Sequence, residues 1–236
     1  MTQVSSPTEL AEFFELPALP PLEPRYNVAP SQNVLVVRRL PDTMPREGVL
    51  LRWGLIPSWA KDPTIGSRLI NARAETAADK PAFRHAFRER RCIVPAGGFY
   101  EWQRRGAGKQ PYLIRLREGK LFGLAGLWES WTAPEGTEIQ TFTILTTAAN
   151  DLVRQLHDRM PVILDKKDYG LWLDPAVRDP ARLTPLLRPY SAELLAAVPV
   201  SPLVNDPRHD GPECAAPLLD PPPREKPHDK GQQLLF

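Results

Sequence analysis

Three short stretches carry side chains able to move protons and hold an anion. Phe99-Tyr100-Glu101-Trp102 sets one carboxylate between aromatic rings. A carboxylate so placed either points to water from an edge strand or sits in a low-dielectric pocket, where desolvation raises its pKa into the range useful for proton transfer. Asn71-Ala72-Arg73-Ala74-Glu75 alternates polar with small residues, so in an extended segment its three polar groups share one side. His157-Asp158-Arg159-Met160-Pro161 offers an imidazole beside an acid; alone it is a loop histidine with an acidic neighbour. Taken together, an amide with an arginine, a carboxylate between aromatics and an imidazole can stabilise an anion and shuttle protons.

The elements that must bring these groups together are mostly strands. Ser6, Pro7 and Glu9 form a capping box that opens a short helix, with Leu10, Phe13 and Phe14 on one face. Pro17, Pro20, Pro21 and Pro24 end it and hold the chain extended toward Arg25-Tyr26-Asn27-Val28-Ala29-Pro30, where Asn27 and Pro30 give a rigid turn. Residues 34–40 and 49–55 read as a strand pair, and the loop after them carries Trp59 and Lys61. Trp59 suits stacking on an unpaired base or closing an edge of the core. Residues 81–91 read as a helix with Phe83, Ala86 and Phe87 inward and a surface His85. Pro95 and Gly97-Gly98 break the central apolar run before its second strand starts at Phe99. Strands at 111–117 and 121–128 follow as an antiparallel meander, then a strand at 141–147, a short helix capped by Asn150, and a strand at 160–164. Residues 166–199 read as helical in pieces, anchored by Leu171, Trp172, Leu183 and Leu195. Strands outnumber helices without alternating with them, which predicts an α+β fold: a mostly antiparallel sheet curled into a barrel-like core with peripheral short helices.

With 236 residues, 42% of them hydrophobic and no internal repeat, the chain suits one domain over 1–205. From Asp206 the composition turns to Pro, charge and small residues, so 206–236 reads as a tail unable to order itself. No window is long and apolar enough to span a membrane, and the first residues lack the parts of a signal peptide; a cytoplasmic protein, at the nucleoid when on DNA, is expected as a monomer. Cys92 reads as a buried filler, and its distance from Cys214 leaves neither a disulfide framework nor a metal motif. Neither a metal nor a cofactor is expected. A net charge of +2 confines any nucleic-acid site to a local groove. The final stretch Gln232-Gln233-Leu234-Leu235-Phe236 resembles the pentapeptide with which bacterial proteins dock on the replication sliding clamp, through Gln232, Leu235 and Phe236.

Arg25–Pro30, Trp53-Gly54, Asn71-Ala72-Arg73-Ala74-Glu75-Thr76, Gly98–Trp102 and His157–Pro161 follow one another in an order and spacing that resemble the SOS response-associated peptidase family, the abasic-site processing proteins. The resemblance spans roughly residues 2 to 205. It implies binding of single-stranded DNA at an abasic site and capture of the open-chain aldehyde as a thiazolidine, by the amine and thiol of an N-terminal cysteine exposed when the initiator Met is removed. Peptidase activity would then reflect release of that Met or of a propeptide. The resemblance gives Asn71 the orienting of nucleophile or sugar, Glu101 the assistance of proton transfer, and His157 protonation of the ring-opening oxygen. Arg73 matches a phosphate contact, Trp59 lies where the family has aromatic residues beside the strand, and Pro30 and Trp102 join the DNA-binding surface.

The family opens Met-Cys-Gly-Arg and an aromatic residue, whereas this chain opens Met1-Thr2-Gln3-Val4. Neither Cys92 nor Cys214 can substitute, because only an N-terminal cysteine offers amine and thiol on adjacent carbons. Three readings stand: a true start some codons upstream, a relative that grips DNA without crosslinking, or an N-terminal Thr2 acting through amine and hydroxyl. A noncatalytic single-strand binding module is the alternative function. A peptidase acting on other proteins is a third reading, for which the sequence offers no Ser-His-Asp arrangement or zinc motif.

Overall fold

A computed structural model of the protein describes residues 1–41, 45–106 and 108–218. The capping box opens α1 (Pro7–Phe14): the Glu9 N–H donates to the Ser6 hydroxyl at 3.2 Å, and the Ser6 N–H donates to the Glu9 carboxylate at 2.9 Å. There follow β1 (Asn33–Arg38), β2 (Glu47–Trp53), β3 (Asn71–Arg73), α2 (Ala74–Ala77), α3 (Arg84–Glu89), β4 (Arg91–Ala96), β5 (Phe99–Arg105), β6 (Gly108–Leu116), β7 (Phe122–Thr132) and β8 (Glu138–Ala148). The order ends with β9 (Arg159–Pro161), β10 (Ile163–Leu164), α4 (Tyr169–Leu173), α5 (Pro180–Leu183) and β11 (Leu195–Pro199).

Strands β7, β4, β1, β2 and β8 pair in that order, and β8 pairs back onto β7, closing a five-stranded barrel. Alternate residues of the barrel strands feed two cores, as the period of two requires. Leu35, Val37, Ile93 and Leu127 pack with Phe14, Phe87 and Trp172 of the helices. Val34, Val36, Val94 and Ile144 pack with Met1, Val28, Phe99 and Met160. The α+β class and the barrel-like core expected from the strand count are therefore present. No helix among the described residues is long and apolar enough to cross a membrane.

Strand β8 does most to place the site. Its first half pairs with β2 and β7; its second half takes β3 on one side, parallel, and β9 on the other, antiparallel. The second sheet, β11-β6-β5, lies beside the barrel and carries Glu101.

The structure departs from the sequence reading at four places. Both edges of β6 are taken by β5 and β11, so β7 joins β4 and β8 and no meander forms. Residues 195–199 form a strand rather than a helical piece, because the open edge of β6 overrides the helix preference of Leu195-Ala196-Ala197. Strand β3 stops at Arg73, and Glu75 lies in α2 instead of continuing the polar row. Contact with the domain continues past Asp206: Cys214 is fully buried, Val200 bridges Pro217, and the Leu218 N–H donates to Pro199. Polar bonds, which a count of apolar area leaves out, hold that segment. Gln232, Leu235 and Phe236 lie outside the described residues.

Candidate functional site

The first three residues run extended between two segments. Met1 and Val28 exchange a pair of hydrogen bonds, the Met1 amine to the Val28 carbonyl at 3.0 Å and the Val28 N–H to the Met1 carbonyl at 2.9 Å. Gln3 and Arg25 exchange another pair, and on the opposite side Thr2 bonds Gly98 and Gly97. Gly97 is needed for this approach, since a Cβ there would lie 3.2 Å from the Thr2 hydroxyl, while Gly98 lets the same turn pack on β6, where a Cβ would lie 2.9 Å from the Ile114 carbonyl oxygen. Gln3 secures the strand from below, its amide donating to the carbonyls of Leu35 and Pro95.

This strand delivers Met1 to a cavity of about 460 Å³ whose lining includes Pro30, Asn71, Glu101, Trp102, His157 and Arg159. Trp53, Phe99, Leu124, Ile144 and Met160 supply apolar wall. Three separate strands converge there: β3 brings Asn71, β5 brings Glu101 and Trp102, and β9 anchors the loop that carries His157. Within that loop Asn150 caps the turn, accepting the Val153 N–H at 2.9 Å, and the Ala149 N–H donates to Asp158 at 3.0 Å.

Burial pushes the Glu101 carboxyl up to about 7, with Asp158 adding to the rise and His157 opposing it. Glu101 is half-buried in the cavity wall, which is nearer the desolvated of the two settings open to it from sequence. At His157, Nδ1 lies 3.0 Å from the Arg159 N–H, 3.3 Å from the Arg159 carbonyl oxygen and 3.3 Å from the Asp158 carboxylate, so the loop's own polar groups hold the ring by that nitrogen. Burial also pushes the Met1 ammonium down to about 5. A carboxyl near neutrality and an imidazole on the same cavity make a pair that can exchange protons with a ligand there. The described residues contain no His, Cys, Asp and Glu cluster suited to a metal ion.

Of the residues singled out from sequence, Asn71, Glu101, His157, Pro30 and Trp102 meet on this cavity, whereas Arg73 and Trp59 are not in its lining. Arg73 is exposed two residues beyond Asn71 on the same strand. Trp59 is 60% exposed, its indole N–H 3.4 Å from the Pro81 carbonyl. Thr2, weighed as an N-terminal nucleophile, is buried in the bridge to Gly98 and does not line the cavity.

Sequence reading missed Arg159. Its guanidinium makes a two-pronged bond to Glu75 at 2.6 and 2.8 Å and donates to the Thr146 carbonyl at 2.6 Å, while its Nε is buried without a partner. That bond ties the polar row of β3–α2 to the histidine loop across β8, a link between residues 84 positions apart that neither stretch signals by itself. Asp210 was missed too. It accepts the N–H groups of Tyr26 and Asn27 at 2.7 and 2.5 Å and pairs with Arg25.

Comparison with known proteins places this arrangement. Residues 1–207 match the family described as SOS response associated peptidase (SRAP). Abasic site processing protein YoqW of Bacillus subtilis is 49% identical over 191 residues, covering 80% of this chain and 84% of that protein. Abasic site processing protein HMCES of Gallus gallus is 38% identical over 225 residues, covering 83% and 66%. A crystal structure from Bacteroides thetaiotaomicron superposes with a TM-score of 0.73 at 31% identity, over 80% of this chain and 82% of that one. One from Bordetella bronchiseptica gives a TM-score of 0.73 at 29% identity, over 85% and 98%. The match across nearly the whole described chain, in sequence and in fold, makes this protein a member of the SRAP family.

Proposed function

We propose that this protein acts in DNA repair by binding single-stranded DNA at abasic sites and capturing the open-chain sugar aldehyde covalently and reversibly. The observation that carries the reading is the convergence of Glu101, with its carboxyl near 7, and His157 on a cavity into which the first residue opens. The relatives YoqW and HMCES, both named abasic site processing proteins, support it.

In a form of the chain that carries an N-terminal cysteine ahead of Thr2, the amine and thiol of that cysteine would be the nucleophile; the sequence as it stands has Met1 there. Residues placed before Thr2 follow the path of Met1 into the cavity. His157 donates a proton to the ring oxygen while the anomeric hydroxyl gives up its own to water, which opens the cyclic sugar to the aldehyde. The amine adds to the aldehyde carbon, and loss of water leaves an imine. Addition of the thiol to the imine carbon, with transfer of its proton to nitrogen, closes the thiazolidine. The Glu101 carboxylate takes the proton released by the attacking amine and returns it to the departing hydroxyl, a task suited to a group that titrates near neutrality. Asn71, exposed at the cavity rim, orients the sugar. Arg73 holds a phosphate beside the lesion, Arg159 ties the histidine loop to Glu75, Pro30 and Trp102 shape the cavity wall, and Trp59 stacks on a neighbouring base. The peptidase activity of the family's name is removal of the residue ahead of the cysteine.

A denaturing gel tests the reading. Single-stranded DNA with one abasic site is incubated with the chain bearing Met1 and with a chain in which Met-Cys-Gly-Arg-Phe stands ahead of Thr2. A covalent band with the second alone is the expected result. No band with either would leave a noncovalent single-strand binder and withdraw the roles of Asn71, Glu101 and His157. Docking on the replication sliding clamp through Gln232, Leu235 and Phe236 is proposed separately; deleting residues 232–236 abolishes clamp pull-down, and unchanged capture would end it.

A further inference from the structure

We infer that Asp210 is a positioning residue for the covalent step: it locks the loop Arg25–Pro30 in place and so fixes where the first strand enters the cavity. The inference rests on the crosslinking reading above. Asp210 lies beyond residue 207, where the family match ends. Its carboxylate nevertheless accepts two backbone N–H groups of the loop, from Tyr26 and Asn27, and the Arg25 guanidinium. Three charge-assisted bonds on one half-buried carboxylate hold a short peptide more firmly than neutral bonds would.

The lock extends from there. The Arg25 guanidinium also donates to the Gln32 side-chain carbonyl at 2.7 Å, which in turn accepts the Ala29 N–H at 3.1 Å. The Asn27 amide, buried with the loop, donates to the carbonyls of Val204, Asp206 and His209 at 3.0, 3.2 and 3.0 Å. Both sides of the clamp are cavity wall: Asn27, Val28 and Pro30 from the loop, Val204, Asn205 and Pro207 from the later segment. The Trp102 indole, on the same wall as Glu101, donates to Asn205 at 2.7 Å. Val28 carries the consequence to the chemistry, because its carbonyl and N–H pair with residue 1. A loop released from Asp210 frees that pair, and the strand bearing the nucleophile loses its register against Glu101 and His157.

The test uses the form with Met-Cys-Gly-Arg-Phe ahead of Thr2 and the variants Asp210→Ala and Asp210→Asn. Single-turnover crosslinking is followed against concentration of abasic single-stranded DNA, at a temperature where circular dichroism shows each variant folded. A misplaced reacting group costs rate steeply, so Asp210→Ala lowers the saturating rate by about tenfold or more while the half-saturating DNA concentration stays within about twofold. Asp210→Asn keeps an acceptor for the loop N–H groups, loses the pair with Arg25, and falls between. A role in bulk stability alone would lower the melting temperature and leave the saturating rate intact, which overturns the proposal. Hydrogen exchange supplies a second arm that needs no reaction: in Asp210→Ala the amides of Gln3, Arg25 and Val28 exchange at least about tenfold faster while Ile93 and Leu127 of the barrel do not change. Should the unsubstituted form give no covalent band, the crosslinking reading fails and exchange alone decides; unchanged protection at Gln3 and Val28 refutes the lock. Should Asp210→Ala not fold, Asp210→Asn carries both measurements.

Discussion

Replacing Glu101 with Gln keeps the shape of the side chain and removes its titration, which makes it the sharpest probe of the cavity. Burial moves this carboxyl from 4.5 to about 7. Ionising it in the folded protein therefore costs about 3 kcal/mol more than in the unfolded chain, reduced toward about 2 by partial access to water. The sign follows from the direction of the shift: the stability contribution is fully present below 4.5 and is lost as pH rises through 7. Urea unfolding of the two proteins from about pH 5 to about pH 8 should show Glu101→Gln gaining about 2 kcal/mol relative to the parent, or about 4 to 8 °C in melting temperature for a chain of this size. In the crosslinking form, the parent rate rises as pH passes through 7, where the carboxylate becomes available as a proton acceptor, and the variant loses that limb along with about a hundredfold in rate. Parallel stability curves would refute the desolvated carboxyl, whatever the rate does. A vanished limb with flat stability would mean that some other group titrates.

Three further outcomes follow from neighbouring contacts. Arg73→Ala should weaken binding to single-stranded DNA and flatten its log–log salt slope by about 0.7, the share of one phosphate; an unchanged slope removes Arg73 from the groove. Glu75→Gln should cost about 0.5 to 1 kcal/mol near neutral pH, because its partner Arg159 holds the carboxyl below its ordinary 4.5; the difference from the parent should shrink as pH falls below that value, and a pH-independent difference would count against the ion pair. Gly98→Ala drives a methyl group into the Ile114 carbonyl and the Leu113 side chain, 2.9 and 2.7 Å away, and should destabilise the fold by about 1 to 3 kcal/mol, measured by urea midpoint. Wild-type stability in that variant would show that Gly98 does not pack against β6 as closely as these distances require.

Local chemistry made several elements legible. Ser6 and Glu9 announce the helix start by their spacing, and Pro95 with Gly97-Gly98 announces the end of regular pairing. What a single segment cannot announce is its partner. Leu195-Ala196-Ala197 reads as helix until the free edge of β6 is available, and a turn at residues 118–120 says nothing of whether the next strand returns to β6 or crosses to β4. Glu101 shows the same limit at the site. Flanking rings leave exposed and buried settings open, and the cavity walls around Glu101 come from segments remote in sequence, among them Met1, Asn71 and His157.

Sites assembled this way have a physical consequence. Asn71, Glu101 and His157 come from β3, from a separate sheet and from a loop, and the first strand is seated by contacts to residues 25–28 and 97–98. None of these contacts is local, so their chain-closure entropy is met only when the barrel closes. Unfolded or half-folded chains consequently lack a functional site altogether, and no short peptide from this sequence should reproduce it. Reactive groups that converge only in the closed fold are kept apart until the cavity that governs them exists. Asp210 extends the same logic, because the loop that seats the first residue is completed by a carboxylate 184 positions after Tyr26, among the last described parts of the chain. Order at the first residues thus depends on order near residue 210.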